Sequence, residues 1–465
     1  MPDYDTNLQF DFSGYLMTSD GTWKSGGETY FYGEDFRSEK RFAEMVDCGF
    51  TMLRITEDYK GETWETSATK KCMDEAYKAG FRKLIVQDTR LYNACWNKPY
   101  GESSSAFASE QEFDEWIKEC LMPYINEPGF YGLTLLDEPS YSQTEAYGMV
   151  YKAIRRVAKN EFGMDNIYLH INYLPIGATS SMYGEGYKDH REMYYNYLCG
   201  YMDSTGCDRI SVDTYAFRGY SFYPGFYSSI QVLADEVRDR DIEFSYCLQS
   251  YETANGAFRR VDKSDMRLEM NSLVGFGASH FYYYSYFPHD SVDEGSFVTR
   301  TGERTNIWYA GKELIADMQA FAPVVLNYKY KGAKMFVNSP SNFSLTPYLS
   351  SHGEALTGTT LDWDNTYEFA KLKKVTQDND IVLSTELYDE TNDLYMYMVQ
   401  NVINPVNSQK GDTTMTVSVE FESGYDYVAE FDCGRLRYVP LQNGVYKTTL
   451  SAGYAVYLIP LLSQK

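Results

Sequence analysis

Residues 132–140 read GLTLLDEPS, an apolar run of strand length that ends in two adjacent acids. Pro139 has no N–H to give to a ladder, so it stops the strand and leaves Asp137 and Glu138 at its exit. Side chains alternate along a strand, which puts Leu133 and Leu135 on one face and Thr134 and Glu138 on the other. If the leucines pack under helices, Glu138 turns inward. Asp137 points the other way unless a terminal bulge turns both acids toward the same pocket. A carboxyl group held beside apolar strand walls and a second carboxylate has a raised pKa, as a general acid requires. The competing reading makes D-E-P a loop anchor, with Asp137 bonding backbone amides and Glu138 pairing with Arg54 or Arg90.

Working outward from this strand, similar runs recur at 9–17, 50–57, 82–88, 167–174, 209–216, 243–250 and 279–286, which with 131–138 gives eight. Amphipathic helical stretches lie between them near 37–48, 66–79, 108–125, 142–161, 187–202, 227–239 and 262–275, and another follows at 304–321. In 142–161 the stripe is Ala146, Met149, Val150, Ala153, Ile154 and Val157. Gly49 and Gly80 stand where helices give way to strands, a place that suits a left-handed C-cap. Eight successive βα units predict a (β/α)8 TIM barrel over residues 1–325. Beyond it, short alternating segments at 394–401, 414–421, 425–431 and 454–460 predict a C-terminal antiparallel β-sandwich over 326–465. The junction is short, so the two parts are expected to pack together.

The chain of 465 residues carries 66 Asp and Glu against 42 Lys and Arg, a net charge of −24 that would repel nucleic-acid phosphates and anionic lipid. Its longest apolar runs are strand-sized, too short to insert in a membrane. Eight cysteines are scattered without a C-x-x-C pair, and the five histidines (170, 190, 280, 289 and 352) lack close ligand spacing, so neither a metal nor a disulfide scaffold is expected. Most of the cysteines read as buried thiols. There is no phosphate loop, G-x-S-x-G elbow or dinucleotide fingerprint, and no cofactor is implied. The first residues, MPDYDTNLQF, show no secretory signal; the expectation is a secreted or cell-surface protein whose signal lies outside this sequence, or a cytoplasmic one.

Aromatic residues make up 17% of the chain, 45 of them Tyr. A tyrosine offers a flat apolar face and a hydroxyl, the two surfaces that a sugar ring needs, although tyrosines also pack in cores with their tips in water. Strand parity turns Tyr168, His170 and Asn172 to one face, and likewise Ser211, Asp213 and Tyr215, and Ser245, Cys247, Gln249 and Tyr251. Asp88, Asn172, Asp213, Gln249 and Ser285 fall near strand C-termini, the catalytic face of such barrels. The expected substrate-binding set is Asp88, Asn172, Tyr173, Asp213, Tyr215, Gln249, Tyr251, Tyr284 and Tyr286, around Glu138 and Asp137 as catalytic pair. The expected partner is an oligosaccharide or glycan.

With these residues in view, the chain resembles the glycoside hydrolase barrels of carbohydrate-degrading bacteria, in which an acid/base Glu closes strand four. The resemblance rests on residues 131–140 and on the order SEKRFAEMVDCGFTMLRITED, AYKAGFRKLIVQD, RISVDTYAF and GFGASHFYYYSYF, and covers roughly 8–325. The large clan with two catalytic glutamates normally has Asn-Glu at strand four and a nucleophilic Glu at strand seven. This chain has Asp137-Glu138, and strand seven ends Leu248-Gln249-Ser250-Tyr251-Glu252. Adjacent Asp-Glu looks more like the substrate-assisted β-N-acetylhexosaminidases and related endoglycosidases. That resemblance implies a retaining reaction in which Asp137 orients the sugar's 2-acetamido group and Glu138 protonates the leaving group. It also implies a tyrosine at the acetamido oxygen, Tyr215 or Tyr251. Two alternatives stay open: Glu138 working with Asp213 or Glu252 as a second carboxylate, and a glycan-binding protein without chemistry.

Overall fold

The structure, a computed structural model, describes residues 2–462 other than 26–27, 32–33, 187–189, 220, 224, 254, 289–294, 338–362, 364, 379–380, 404–412 and 433. Cys433, His289, His352 and the start of the helix expected at 187–202 lie outside the described residues.

The eight expected strands are present as β1 Asp11–Gly14, β2 Met52–Arg54, β3 Lys83–Gln87, β4 Phe130–Asp137, β5 Tyr168–Asn172, β6 Arg209–Asp213, β7 Glu243–Gln249 and β8 His280–Tyr284. They form two four-stranded parallel sheets, ordered β2-β3-β4-β5 and β1-β8-β7-β6. Main-chain hydrogen bonds cross between the sheets at both seams. Tyr173 N–H donates to Ser211 O at 2.8 Å, and Thr51 N–H donates to Phe12 O at 2.9 Å. The helices are α1 Glu39–Cys48, α2 Ala68–Ala79, α3 Thr89–Ala94, α4 Glu110–Leu121, α5 Thr144–Phe162, α6 His190–Thr205, α7 Gly225–Arg240, α8 Lys263–Gly275 and α9 Asn306–Val325. Gly49 and Gly80 end α1 and α2 at φ 108° and 114°, conformations that a side chain would strain. The one-and-a-half-turn α3 is too short to show as a period in the sequence.

The strand faces follow the alternation. Leu133, Leu135, Leu169, Ile171, Ile210, Val212, Phe244 and Leu248 join the large core beneath the helices, where they meet Val150, Ile154 and Val157 of α5. The opposite faces of the strands form a separate cluster of Tyr15, Met52, Ile85, Tyr168, Cys247 and Tyr282. Branched aliphatic residues usually fill this space. Here buried tyrosines do so, and their hydroxyls pair as burial requires: Tyr168 with Tyr282, and Tyr15 with His170 at 3.1 Å.

The chain then continues as β9 Lys329–Val337, β10 Leu372–Gln377, β11 Ile381–Asp389, β12 Leu394–Asn401, β13 Met415–Phe421, β14 Tyr427–Asp432, β15 Arg435–Pro440, β16 Val445–Leu450 and β17 Ala455–Leu461. These make an antiparallel six-stranded sheet, β9-β11-β12-β17-β14-β15, and a three-stranded sheet, β10-β13-β16. Both sheets contribute to one buried cluster, Val375, Val417 and Tyr446 meeting Val382, Tyr397 and Leu458. The β-rich part packs on α8: Ser272 Oγ donates to Gln400 Oε1 at 2.8 Å, Gln400 Nε2 to Leu268 O at 2.9 Å, and Tyr457 OH to Asn271 O at 3.1 Å. The expected contact between the two parts is therefore present, and these bonds sit within an apolar contact in which Phe321 of α9 packs on Phe431 and Tyr457, at 5.0 and 4.7 Å between ring centroids. Among the described residues no helix is long and apolar enough to cross a membrane.

Candidate active site

The end of β4 departs from regular pairing. Thr134 stands opposite His170 and Asp137 opposite Asn172, so three steps on β4 answer two on β5. This is a bulge, and it reverses the parity of everything after it. Asp137 consequently turns to the interior face, where Tyr15 OH lies 3.3 Å from its Oδ1. Glu138 would now point away, but it adopts φ 46°, in the left-handed region that a glutamate rarely enters, while its N–H donates to Asn172 O at 2.7 Å. The irregular backbone thus presents both acids on one side of the strand end.

The Glu138 carboxyl lies against that of Asp213, at the end of β6. Asn172, at the end of β5, lies beside both Asp137 and Asp213, and its Oδ1 accepts from Ser211 Oγ at 3.3 Å. Three carboxylates from two strand ends therefore meet around one amide. Asp137 and Glu138 reach solvent, but surrounding protein strips most of their hydration. Loss of hydration raises the pKa of Asp137, tempered by the charge of Arg54 and by bonds from Tyr15 and Asn172. Glu138 is raised by loss of hydration and then by the negative charge of Asp137. Asp213, buried, is raised well above the usual carboxylate range by burial and then by the charges of Glu138 and Asp137. Contact with Asp213 lowers the Glu138 pKa in part, while the Glu138 charge raises that of Asp213.

On the other side of Asp137 stands Arg54, at the end of β2. Its guanidinium stacks on the Tyr15 ring at 3.9 Å, and it donates to Thr134 Oγ1 at 3.1 Å and Gln87 Oε1 at 3.3 Å. His170 beneath is kept neutral: burial, then the nearby Arg54, Arg209 and His280, push its pKa well below the ordinary value. A neutral ring can exchange a hydrogen bond with Tyr15 OH without adding charge. The rings of Tyr215, Tyr251 and Tyr284 form a mutually packed wall, with centroids 5.1–5.9 Å apart, and Tyr284 lies 5.9 Å from Tyr15. The Tyr215 hydroxyl lies 3.8 Å from Cys247 Sγ.

Four residues expected at this site serve elsewhere. Asp88 caps α3, accepting from Arg90 N at 2.8 Å, and its carboxylate is filled by the Arg90 guanidinium at 2.6 and 3.0 Å and Tyr124 OH at 3.1 Å. Gln249 is fully buried, where it anchors a loop: Oε1 accepts from Phe217 N, and Nε2 donates to the carbonyls of Phe217, Tyr251 and Arg259. Tyr173 faces the helices, 4.8 Å from Tyr201 and 6.2 Å from Tyr197. Tyr286 follows the end of β8 and packs on Phe50 and Phe297 in the core. Glu252 lies against Gly295. Arg54 meets Asp137, and Arg90 meets Asp88, so neither pairs with Glu138. The sequence reading missed Tyr15 as a partner of Asp137; its position one residue beyond β1 was the available signal. No group of three or more ligand side chains able to hold a metal occurs among the described residues.

This fold, parallel strands with helices followed by an antiparallel β-rich part, is shared with solved structures. It is similar along nearly all its length to an α-amylase from Geobacillus thermoleovorans solved with acarbose, at TM-score 0.51 and 12% identity, covering 98% of this chain and 99% of that one. An α-L-fucosidase isoenzyme from Paenibacillus thiaminolyticus gives TM-score 0.51 at 9% identity, covering 98% and 100%, and an α-amylase from Anoxybacillus 0.50 at 11%, covering 99% of each. By sequence the chain matches no family model and no curated protein.

Proposed function

We propose that the protein is a retaining glycoside hydrolase acting on a β-linked glycan, at an N-acetylhexosamine by substrate assistance. In this reading residues 1–325 are a closed catalytic (β/α)8 barrel, and 326–465 an accessory β-sandwich. The observation that carries it is the convergence of Asp137, Glu138 and Asp213 at strand ends beside a wall of tyrosines. Glu138, its pKa raised by lost hydration and by the charge of Asp137, gives a proton to the glycosidic oxygen as the bond to the anomeric carbon breaks. The 2-acetamido oxygen attacks that carbon from the opposite face, while Asp137, whose charged form Arg54 and Tyr15 favour, accepts from the acetamido N–H. Glu138, now a carboxylate, then takes a proton from the water that opens the cyclic intermediate, which restores both the enzyme and the original anomer.

The closeness of Glu138 and Asp213 bears on the two-carboxylate alternative. Retaining pairs need about 5–5.5 Å between carboxyl groups and inverting pairs about 6.5–9.5 Å. Carboxyls close enough to shift one another's titration support Asp213 as a partner of Glu138 rather than a nucleophile. An N-acetylglucosamine thiazoline, which mimics the cyclic intermediate, should compete with hydrolysis far better than N-acetylglucosamine. Equal inhibition by the two would sink the substrate-assisted reading, and failure to hydrolyse any glycan would sink the enzyme.

A further inference from the structure

Beyond β3 the chain makes the short α3, whose two faces differ. Leu91 and Cys95, four residues apart, are fully buried, and the Cys95 thiol bonds Leu91 O at 3.3 Å. Tyr92 and Trp96, again four apart, take the other face, with ring centroids 6.1 Å apart and planes tilted by 60°. Trp96 leaves 51% of its surface in water, although indoles are among the side chains most strongly driven out of it. The segment holding it is nonetheless firmly tied, because the buried Asp88 caps α3 and is locked by Arg90 and Tyr124. Tyr92, for its part, lies within electrostatic reach of Asp137 and Asp58. The segment leaves the end of β3, next to β4 whose end carries Asp137, whereas Tyr215, Tyr251 and Tyr284 follow or end strands of the other sheet, so the exposed indole lies on the flank of the acids away from those three rings.

We infer that Trp96 is the platform of an outer sugar subsite, so that the substrate is an oligosaccharide chain reaching past the bond cleaved rather than a small glycoside. This rests on the glycosidase reading for the identity of the central site. The apolar face of a pyranose covers an indole without requiring any polar group to be buried, and an anchored ring loses little entropy on binding. Aromatic surfaces on both flanks of the acids give the chain a path across the strand ends.

Three β-1,4-linked series serve as probes: chito-, gluco- and galacto-oligosaccharides from disaccharide to pentasaccharide. Their affinities would be measured by calorimetry on Glu138→Gln alone and combined with Trp96→Ala or Trp96→Phe, and their kcat/KM values on the corresponding enzymes with Glu138 intact. Tyr309→Ala, which removes a ring exposed on α9, controls for loss of an exposed aromatic as such. For the series that binds, Trp96→Ala should cost about five- to tenfold in affinity and kcat/KM for the tetra- and pentasaccharide and less than about twofold for the disaccharide, with Trp96→Phe recovering most of the loss. Equal losses at every chain length, or none, would overturn the subsite. Binding without hydrolysis in the wild type would reject the glycosidase and leave the affinity pattern to decide on Trp96. A chain that binds none of the three series would overturn both.

Discussion

Glu138 donates its backbone N–H to the carbonyl of Asn172 at 2.7 Å while holding a φ of 46°. The bulge before it and this left-handed turn together place two consecutive acids on one side of a strand end, where alternation would separate them. Strained backbone at this position predicts that Glu138→Gly is more stable than Glu138→Ala by about 0.5–1 kcal/mol, the reverse of the usual order in a strand. Chemical denaturation of the two variants measures this. An alanine variant at least as stable as the glycine one would mean that the turn is unstrained.

If Glu138 supplies the proton, Glu138→Gln should lower kcat on natural glycosides by about 10²–10⁴-fold, and much less on aryl glycosides whose leaving groups need no acid. Steady-state rates on paired substrates decide it. Equal losses on both would remove Glu138 from the acid's role.

The Glu138–Asp213 pair sets a direction for pH. Both folded-state pKa values lie above their unfolded ones, so the folded protein binds extra protons in the interval between, and stability falls as pH rises through that window. Asp213→Asn removes one of the two ionisations, so its melting temperature should decline less steeply over the same window. The basic limb of the kcat/KM profile of Asp213→Leu, which removes the contact that lowers the Glu138 pKa, should move to higher pH. A limb that stays in place would show that Asp213 does not govern the acid.

The tyrosines should divide into two groups. Tyr284→Ala should weaken sugar binding by about 0.5–2 kcal/mol, with Tyr284→Phe restoring the stacking. Tyr173→Ala and Tyr286→Ala should instead lower folding stability by about 3–5 kcal/mol, as loss of large core aromatics does. Calorimetric titration and thermal melts of the three variants separate the two effects, and a binding loss at Tyr173 would contradict its core position.

Asp88→Ala should cost about 2–4 kcal/mol of stability, since it removes a helix cap and leaves Arg90 without its carboxylate. It should not displace the pH profile set by Glu138. Denaturant midpoints and a kcat/KM profile test both halves.

The sequence alone determined the eight parallel strands, the longer helices between them and their order. Period-two runs alternating with 3.6-period stripes gave eight strands and their helices, because a parallel strand must bury one face under helices and its residues are chosen accordingly. Proline after Asp-Glu marked the strand exit, and Gly49 and Gly80 marked helix ends, since both effects act within a few residues. Parity along β5 and β6 also brought Asn172 and Asp213 to the interior face. What lay beyond reach was any property set by more than one strand. Asp137 faces inward only because β4 gains a residue against β5, a mismatch that neither strand carries by itself. Asp88 and Gln249 occupy the expected strand ends, yet their polar atoms are consumed by partners that pattern does not show, Arg90 two residues on and Tyr124 for Asp88, and loop groups of Phe217, Tyr251 and Arg259 for Gln249. Tyr284 meets the carboxylates while Tyr286 enters the core, two residues along, because β8 ends between them. Pattern fixes which way a side chain leaves the backbone, whereas its neighbours are fixed only when all eight strand ends meet.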